Sequence, residues 1–395
     1  MNIEKGVTLE VEIERILPGG LGLAHAEERT IFVSLAAPGD LLRVRIDRQR
    51  AKTAFASIVE VLKPSAVRVE PPCPYFGRCG GCDFQHLTYD SQLLAKGEII
   101  RDCLYRIARI ENPPVISVVA SQREWRYRAR ANWQVDSKGK RIGYFERGSH
   151  EVCDVADCAV LVPALQEALE KVRALFPAQL PDGLCEIEAV AGDNDVSLAP
   201  PLASYKRSEV TRKIGSEKYS FGANTFFQIN HDLLTELIAA AVADTQGEMA
   251  LDLYCGVGLF TLPLARRFSR VIGVESDGPA ANYARINLAN AELKNASTST
   301  ARVSEWLKHS GLERGTPDLV LLDPPRTGAE PGVIAGIVSL EPRRISYVSC
   351  DPATLARDLK DLLASGYHLA SITAFDMFPQ THHVETVVHL GRSEE

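Results

Sequence analysis

The sequence predicts an α/β chain whose C-terminal part is a parallel, doubly wound sheet, preceded by a small all-β barrel and a mixed α+β middle region. Three observations carry this. From about residue 216 apolar strands alternate with helix-length stretches; between residues 8 and 61 short strand-like runs are cut by Gly and Pro; and the run 71–82 is too rich in Cys, Gly and Pro to be a regular element. A chain of 395 residues is too long for one ordinary core, and the breaks fall at 1–62, 63–215 and 216–395.

In order, the barrel strands are TLEVEIERI, TIFVSL, LLRVRIDRQ and TAFASIVEVL, separated by PGGLG, AAPGD and a basic turn. PPCPYFGRCGGC follows as a ligand loop, then the helical SQLLAKGEIIRDCLYRIARI, then strands and turns with a helix near PALQEALEKVRALF. The sheet is predicted from MALDLYC, RVIGVES, PDLVLLDPP, RISYVSC and VETVVHL, with PLARRF, PAANYARINLANA, PGVIAGIVSL and PATLARDLKDLLAS as the helices between. Ligands of such sheets sit beyond the carboxyl ends of the strands, and the motifs below fall there.

Composition is that of an ordinary globular protein, 45% hydrophobic and 24% charged, without low-complexity tracts. No run of about 18 apolar residues occurs and the first residues lack a signal-peptide pattern, so a cytoplasmic location without membrane contact is expected. The net charge of −7 argues mildly against a nucleic-acid partner. Locally the balance reverses: Lys96 to Arg147 holds twelve Lys/Arg against six Asp/Glu. Within it, REWRYRAR interleaves Trp125 and Tyr127 with Arg123, Arg126, Arg128 and Arg130. That run reads either as a nucleic-acid track with stacking aromatics or as a solvated strand with an apolar underside.

DLYCGVGLFT places Gly256 and Gly258 between a buried strand and a helix, where the backbone can approach a ligand closely. Glu275 ends the next strand, the usual place for an acid that holds a ribose diol. The loop lacks the third glycine and any basic residue suited to a pyrophosphate, and LDPP follows the fourth strand; together these favour S-adenosylmethionine over a dinucleotide. Asp323 of LDPPR is expected in the shared cofactor and substrate space. Arg326 is expected either on phosphate or on an acid.

Cys350 of SCDP ends the strand RISYVSC, so its thiol stands at the ligand edge of the sheet. There it can act as a nucleophile, and Glu385, opening the last strand, is the candidate base. Cys255 competes for the nucleophile role but lies inside the cofactor turn. Cys73, Cys79 and Cys82 form C-x5-C-x2-C, with a fourth ligand available from Cys153 or Cys158. Such a set accepts zinc or a 4Fe-4S cluster, and the spacing leaves the two open.

Taken in order, PGGLGLAH and APGD, CPYFGRCGGCDFQHLTYDSQLLAK, FGANTFFQIN, DLYCGVGLF, LLDPPRTG, YVSCDPATLARDL and DMFPQTHHVE resemble one family along nearly the whole chain. It is the RNA uracil-C5 methyltransferases with an N-terminal TRAM barrel (OB-like), a central iron–sulfur α+β domain and a class I S-adenosylmethionine-dependent (Rossmann-like) methyltransferase domain. The resemblance implies Cys73, Cys79, Cys82 and Cys158 as ligands of a 4Fe-4S cluster. It places Gln228, Tyr254, Glu275 and Asp323 around S-adenosylmethionine, with Cys350 as nucleophile and Glu385 as base. It further implies a monomer acting on RNA, 23S rRNA first and the T-loop of tRNA as the alternative. One departure stands out: where the family often has an acidic or amide residue near the adenine, this chain has TARVSEWL, with Arg302 or Ser304 at the place.

Overall fold

The computed structural model of the chain describes residues 5–26, 28–175, 180, 183–202, 205, 208–309 and 316–392. The first four residues of the expected barrel and Phe176 at the end of the expected middle helix lie outside them.

Six strands come first: β1 (Thr8–Glu12), β2 (Arg15–Leu17), β3 (Leu21–Ala26), β4 (Arg29–Ser34), β5 (Leu41–Arg50) and β6 (Thr53–Lys63). They form one sheet in the order β1-β5-β6-β4-β3-β2, curled round a core that includes Val11, Ala24, Ile31, Val44 and Ala54. Register shifts along β5 and β6 supply the bend that curling requires. β3 was not expected as a strand, because its LGLAHA follows directly on the PGGLG turn signal.

Helix α1 (Tyr89–Cys103) runs on into one π-helical turn, Leu104–Ala108. Strand β7 (Ile116–Val119) follows. Then β8 (Arg130–Asp136), β9 (Arg141–Phe145), β10 (Val152–Asp154), β11 (Glu186–Ala191) and β12 (Val196–Ala199) make an antiparallel sheet. Helix α2 (Pro163–Arg173) covers it, burying Leu165, Ala168, Leu169 and Val172 against a core with Trp133 and Ile187. A hairpin, β13 (Val210–Ile214) and β14 (Glu217–Phe221), leads to α3 (Leu234–Val242).

The last sheet contains β15 (Gly247–Leu253), β16 (Phe268–Glu275), β17 (Ala296–Thr300), β18 (Leu319–Leu322), β19 (Arg344–Ser349), β20 (Tyr367–Phe375) and β21 (Glu385–Arg392). Its order is β17-β16-β15-β18-β19-β21-β20-β7. Helices α4 (Thr261–Ala265) and α5 (Gly278–Asn290) share one apolar layer with α3; α6 (Val303–His309), α7 (Val333–Ser339) and α8 (Pro352–Ala364) share the other with α1. All four residues of the central β18, LVLL, are buried, as a strand covered on both faces requires.

The sheet corrects the all-parallel expectation. β15 to β19 are parallel, but β21 inserts antiparallel between β19 and β20, and β7 from the middle of the chain pairs parallel with β20 at the edge. The physical reason is the helix-free link 376–384, too short for the crossover that a parallel neighbour needs. Among the described residues no helix is long and apolar enough to cross a membrane.

Candidate active site and cysteine cavity

The turn after β15 is built for close approach. Tyr254, Gly256 and Gly258 all have positive φ, +63°, +55° and +90°, and a Cβ added at Gly256 would meet nothing within 4 Å. The Gly256 N–H donates to Glu275 Oε2 at 2.9 Å, and Glu275 Oε1 accepts from the Asp277 N–H at 2.7 Å, so the acid at the end of β16 is fixed against the loop. Asp277 in turn caps α5 by accepting from the Ala280 N–H. Beneath the turn Asp252 is buried, its Oδ2 accepting from the Thr261 hydroxyl at 2.5 Å. Burial pushes its carboxyl up to about 7. Cys255 is 4% exposed, with its N–H bonded to Val274 O, which suits packing rather than attack.

Near the end of β17, Ser304 Oγ donates to Glu330 Oε2 at 2.7 Å, and the Glu330 N–H donates to the Tyr254 hydroxyl at 3.3 Å. Glu330 is an acid in this neighbourhood that the sequence reading missed, because it comes from the loop after β18. Arg302 is exposed. Gln228 is 4% exposed; of its neighbours, Phe227 packs with Val257 and Phe260, and Ile229 with Tyr127 and Val160.

Strand pairing brings Cys350 and Glu385 together. Ser349 of β19 stands opposite Thr386 of β21, so the next step of the antiparallel register places Cys350 beside Glu385. Asp351, immediately after the thiol, caps α8 by accepting from the Ala353 and Thr354 N–H groups, with Pro352 at the first helical position. Glu385 is 2% exposed and its Oε1 is buried without a hydrogen-bond partner. A buried orphan acceptor is costly to keep. Burial pushes the Cys350 thiol up to about 12, with the charges of Glu385 and Asp323 adding to the rise and Arg326 opposing it. Burial likewise raises Asp323 and Glu385; Asp252 adds to the rise at Asp323, and Asp323 to that at Glu385. The edge therefore resists having the thiol and both carboxyls ionised at once, and Arg326, exposed in the loop after β18, is the opposing positive charge.

Cys73, Cys79, Cys82 and Cys158 line a single cavity of about 30 Å³ together with Tyr144 and Arg128. All four are free thiols; burial pushes Cys79 up to about 11 and Cys82 up to about 12. Cys153 is also buried and free but is absent from the cavity lining. Among the described residues no group of three or more His, Cys, Asp or Glu is placed to hold a metal ion.

The two sites are tied by contacts that the motifs alone did not reveal. α1 buries Lys96, whose ammonium pairs with Asp376 and donates to Phe378 O at 3.0 Å. One turn earlier Gln92 donates to Gln380 Oε1 at 2.9 Å and accepts from the Gln380 N–H at 2.9 Å. Asp83 of the cysteine loop shares a hydrogen bond with His382 Nδ1 and accepts from the His382 N–H. Phe378 packs with Cys82 and Cys158 around Tyr127, Val160 and Ile229. Segment 376–385, which delivers Glu385, is thus held by α1 and by the cysteine loop. Gln92 and Lys96 lie four apart on the buried face of α1, where a polar residue gives no signal in the sequence because it reads as solvated.

In REWRYRAR three of the four arginines are paired within the protein and its tyrosine is buried. Arg123 forks onto Asp232 with two 2.7 Å bonds, Arg126 pairs with Asp157, and Arg130 with Glu188. Tyr127 is 1% exposed and donates to Pro379 O at 2.9 Å, leaving no face for a base. Carboxylates elsewhere in the chain thus hold Arg123, Arg126 and Arg130.

Comparison with known proteins agrees with this geometry. The family model described as tRNA (Uracil-5-)-methyltransferase matches residues 207–393, and the tRNA (uracil(54)-C(5))-methyltransferase TRAM domain matches residues 9–67. A 23S rRNA (uracil(1939)-C(5))-methyltransferase RlmD of Vibrio parahaemolyticus is 32% identical over 421 residues, covering 97% of this chain and 96% of that protein. Its namesake from Pseudomonas putida is 32% identical over 423 residues, 97% of this chain and 93% of that one. The crystal structure of Pyrococcus abyssi tRNA (uracil-54, C5)-methyltransferase in complex with S-adenosyl-L-homocysteine matches with a TM-score of 0.73 at 25% identity, covering 97% of this chain and all of that one. The chain belongs to the S-adenosylmethionine-dependent RNA (uracil-C5)-methyltransferases that carry an N-terminal TRAM domain.

Proposed function

We propose that this enzyme methylates C5 of a uridine in 23S rRNA, with Cys350 as nucleophile and Glu385 as base. The observation that carries the reading is the thiol and the orphaned carboxylate side by side on neighbouring antiparallel strands, at the same sheet edge as the glycine turn. S-adenosylmethionine supplies an electrophilic methyl. The open space at Gly256, the anchored Glu275, Tyr254 and Asp323 fit it, with Gly258 shaping the turn and Gln228 at the margin.

The Cys350 sulfur bonds to C6 of the uracil, its proton passing to a neighbouring carboxylate, for which Asp323 is available. C5 becomes enolate-like and takes the sulfonium methyl as the donor's carbon–sulfur bond breaks. Glu385 then removes the C5 proton, and the released electron pair expels the thiolate from C6. A stacked, paired uridine offers C5 and C6 to neither group, so the base must leave its stack.

Cys73, Cys79, Cys82 and Cys158 would hold a 4Fe-4S cluster, which would brace the loop through its charge and bonds to sulfur. What supports the reading is that all four thiols line one cavity, as the ligands of a single group must. The reading also takes 1–62, 63–215 and 216–395 as three domains of a monomer. Nine free cysteines suit a reducing cytoplasm.

The test is methyl transfer from labelled S-adenosylmethionine to unmodified 23S rRNA and, separately, to unmodified tRNA, followed by nucleoside analysis. Label in 5-methyluridine from rRNA is expected. Label from tRNA alone keeps the chemistry and moves the substrate, the second reading that the names of the family model and the Pyrococcus structure favour. Label in 5-methylcytidine contradicts the proposal.

A further inference from the structure

Arg128 differs from the other arginines of its run. Arg123, Arg126 and Arg130 each hold a carboxylate, whereas among the described residues no carboxylate stands within salt-bridge distance of Arg128, whose Nε donates to Arg130 O at 3.0 Å. Its guanidinium lines the cysteine cavity, whose wall includes no Asp or Glu. Tyr144 lines the same cavity, with a buried hydroxyl set against the Cys158 thiol. A guanidinium and a phenol brought to one cavity with four thiols and no carboxylate favour an anion there. The four thiols are the groups of the wall that cluster ligation would make anionic. Arg128 is the one Lys or Arg in that wall, which it shares with Cys82 and Cys158.

We propose that Arg128 and Tyr144 are the counter-charge and the hydrogen-bond donor for a thiolate-bound 4Fe-4S cluster in this cavity, and that they set its retention and its reduction potential. This rests on the reading of Cys73, Cys79, Cys82 and Cys158 as cluster ligands. Reduction adds negative charge to an already anionic cluster, so removing a nearby cation or donor disfavours the reduced form and lowers the potential.

The experiment is anaerobic reconstitution of the full chain as wild type, Arg128→Met, Arg128→Lys and Tyr144→Phe, with iron and sulfide counted and the midpoint potential titrated. Far-UV circular dichroism checks folding, and absorbance follows cluster loss in air. Wild type is expected to hold iron and sulfide. Arg128→Met should move the potential to more negative values and lose the cluster several-fold faster; Arg128→Lys should recover part of both. Tyr144→Phe should shift the potential the same way by less, and it decides the matter with Arg128→Lys if Arg128→Met does not fold. Iron and sulfide in wild type with unaltered potential and retention in the variants would overturn the role of Arg128 and Tyr144 alone. Zinc, or no metal, in wild type would overturn the cluster reading with it.

Discussion

Around the thiol of Cys350 stand Asp323, Asp351 and Glu385, with Arg326 as the opposing charge; around the thiols of the cysteine cavity stand Arg128 and Tyr144, and no carboxylate. In both places burial raises thiols, Cys79 and Cys82 in the one and Cys350 in the other. The difference lies in what the neighbours do with a proton. Carboxylates beside Cys350 keep it protonated at rest and are themselves raised, so protons can pass among them during a reaction. A cation beside Cys82 and Cys158 favours the thiolate and has no proton to exchange, which suits permanent ligation. The proposed roles follow this difference: one thiol site to turn over, the other to stay as it is.

The comparison breaks first at Cys350. Cys350→Ala should cut methyl transfer by roughly 10³-fold or more while RNA binding and the unfolding midpoint stay near wild type. Retained methylation, measured with labelled donor, would make the two thiol sites alike in being structural.

The link between the sites gives the next largest effect. Lys96→Met strands Asp376 as an unpaired buried charge, and the cost should be about 3–5 kcal/mol in denaturant unfolding. Lys96→Met combined with Asp376→Leu should recover most of it, because the stranded charge is gone. An additive double mutant would show that the pair does not couple.

Arg326 sharpens the contrast in proton handling. With the thiol pushed up to about 12, its thiolate fraction grows about tenfold per pH unit below that value, so adduct formation should climb through pH 6 to 9 without a plateau. Arg326 favours the thiolate, so Arg326→Gln should slow adduct formation at each pH by about three- to tenfold. Single-turnover rates across pH would show this; a plateau near neutrality would mean that another group ionises first. Smallest is Tyr127→Phe, which removes the bond to Pro379 O and should cost about 1 kcal/mol without changing the product.

Much of the catalytic edge was legible because its residues end strands. DLYC, GVES, LLDPP and VSC each announce a buried strand and then break it, so order along the chain already places Asp323, Glu275 and Cys350 at one edge. The direction of β21 was not legible: period-2 patterning marks a strand but carries no information on which neighbour it pairs with or which way it runs. The buried polar pairs were out of reach for a different reason. Lys96 and Asp376 are 280 positions apart, and a lone lysine in a helix reads as solvated until its partner is seen. REWRYRAR misled in the same way, since a run of arginines looks free when the carboxylates that hold it lie up to 109 residues away.

The most direct test of the pairing of Cys350 with Glu385 is to incubate Glu385→Gln enzyme with unmodified RNA and S-adenosylmethionine, then resolve the mixture on a denaturing gel. Addition and methyl transfer should proceed while release stalls, so a covalent protein–RNA band should accumulate and vanish when Cys350→Ala is added to the same chain. Free, methylated RNA at the wild-type rate with no such band would contradict Glu385 as the base.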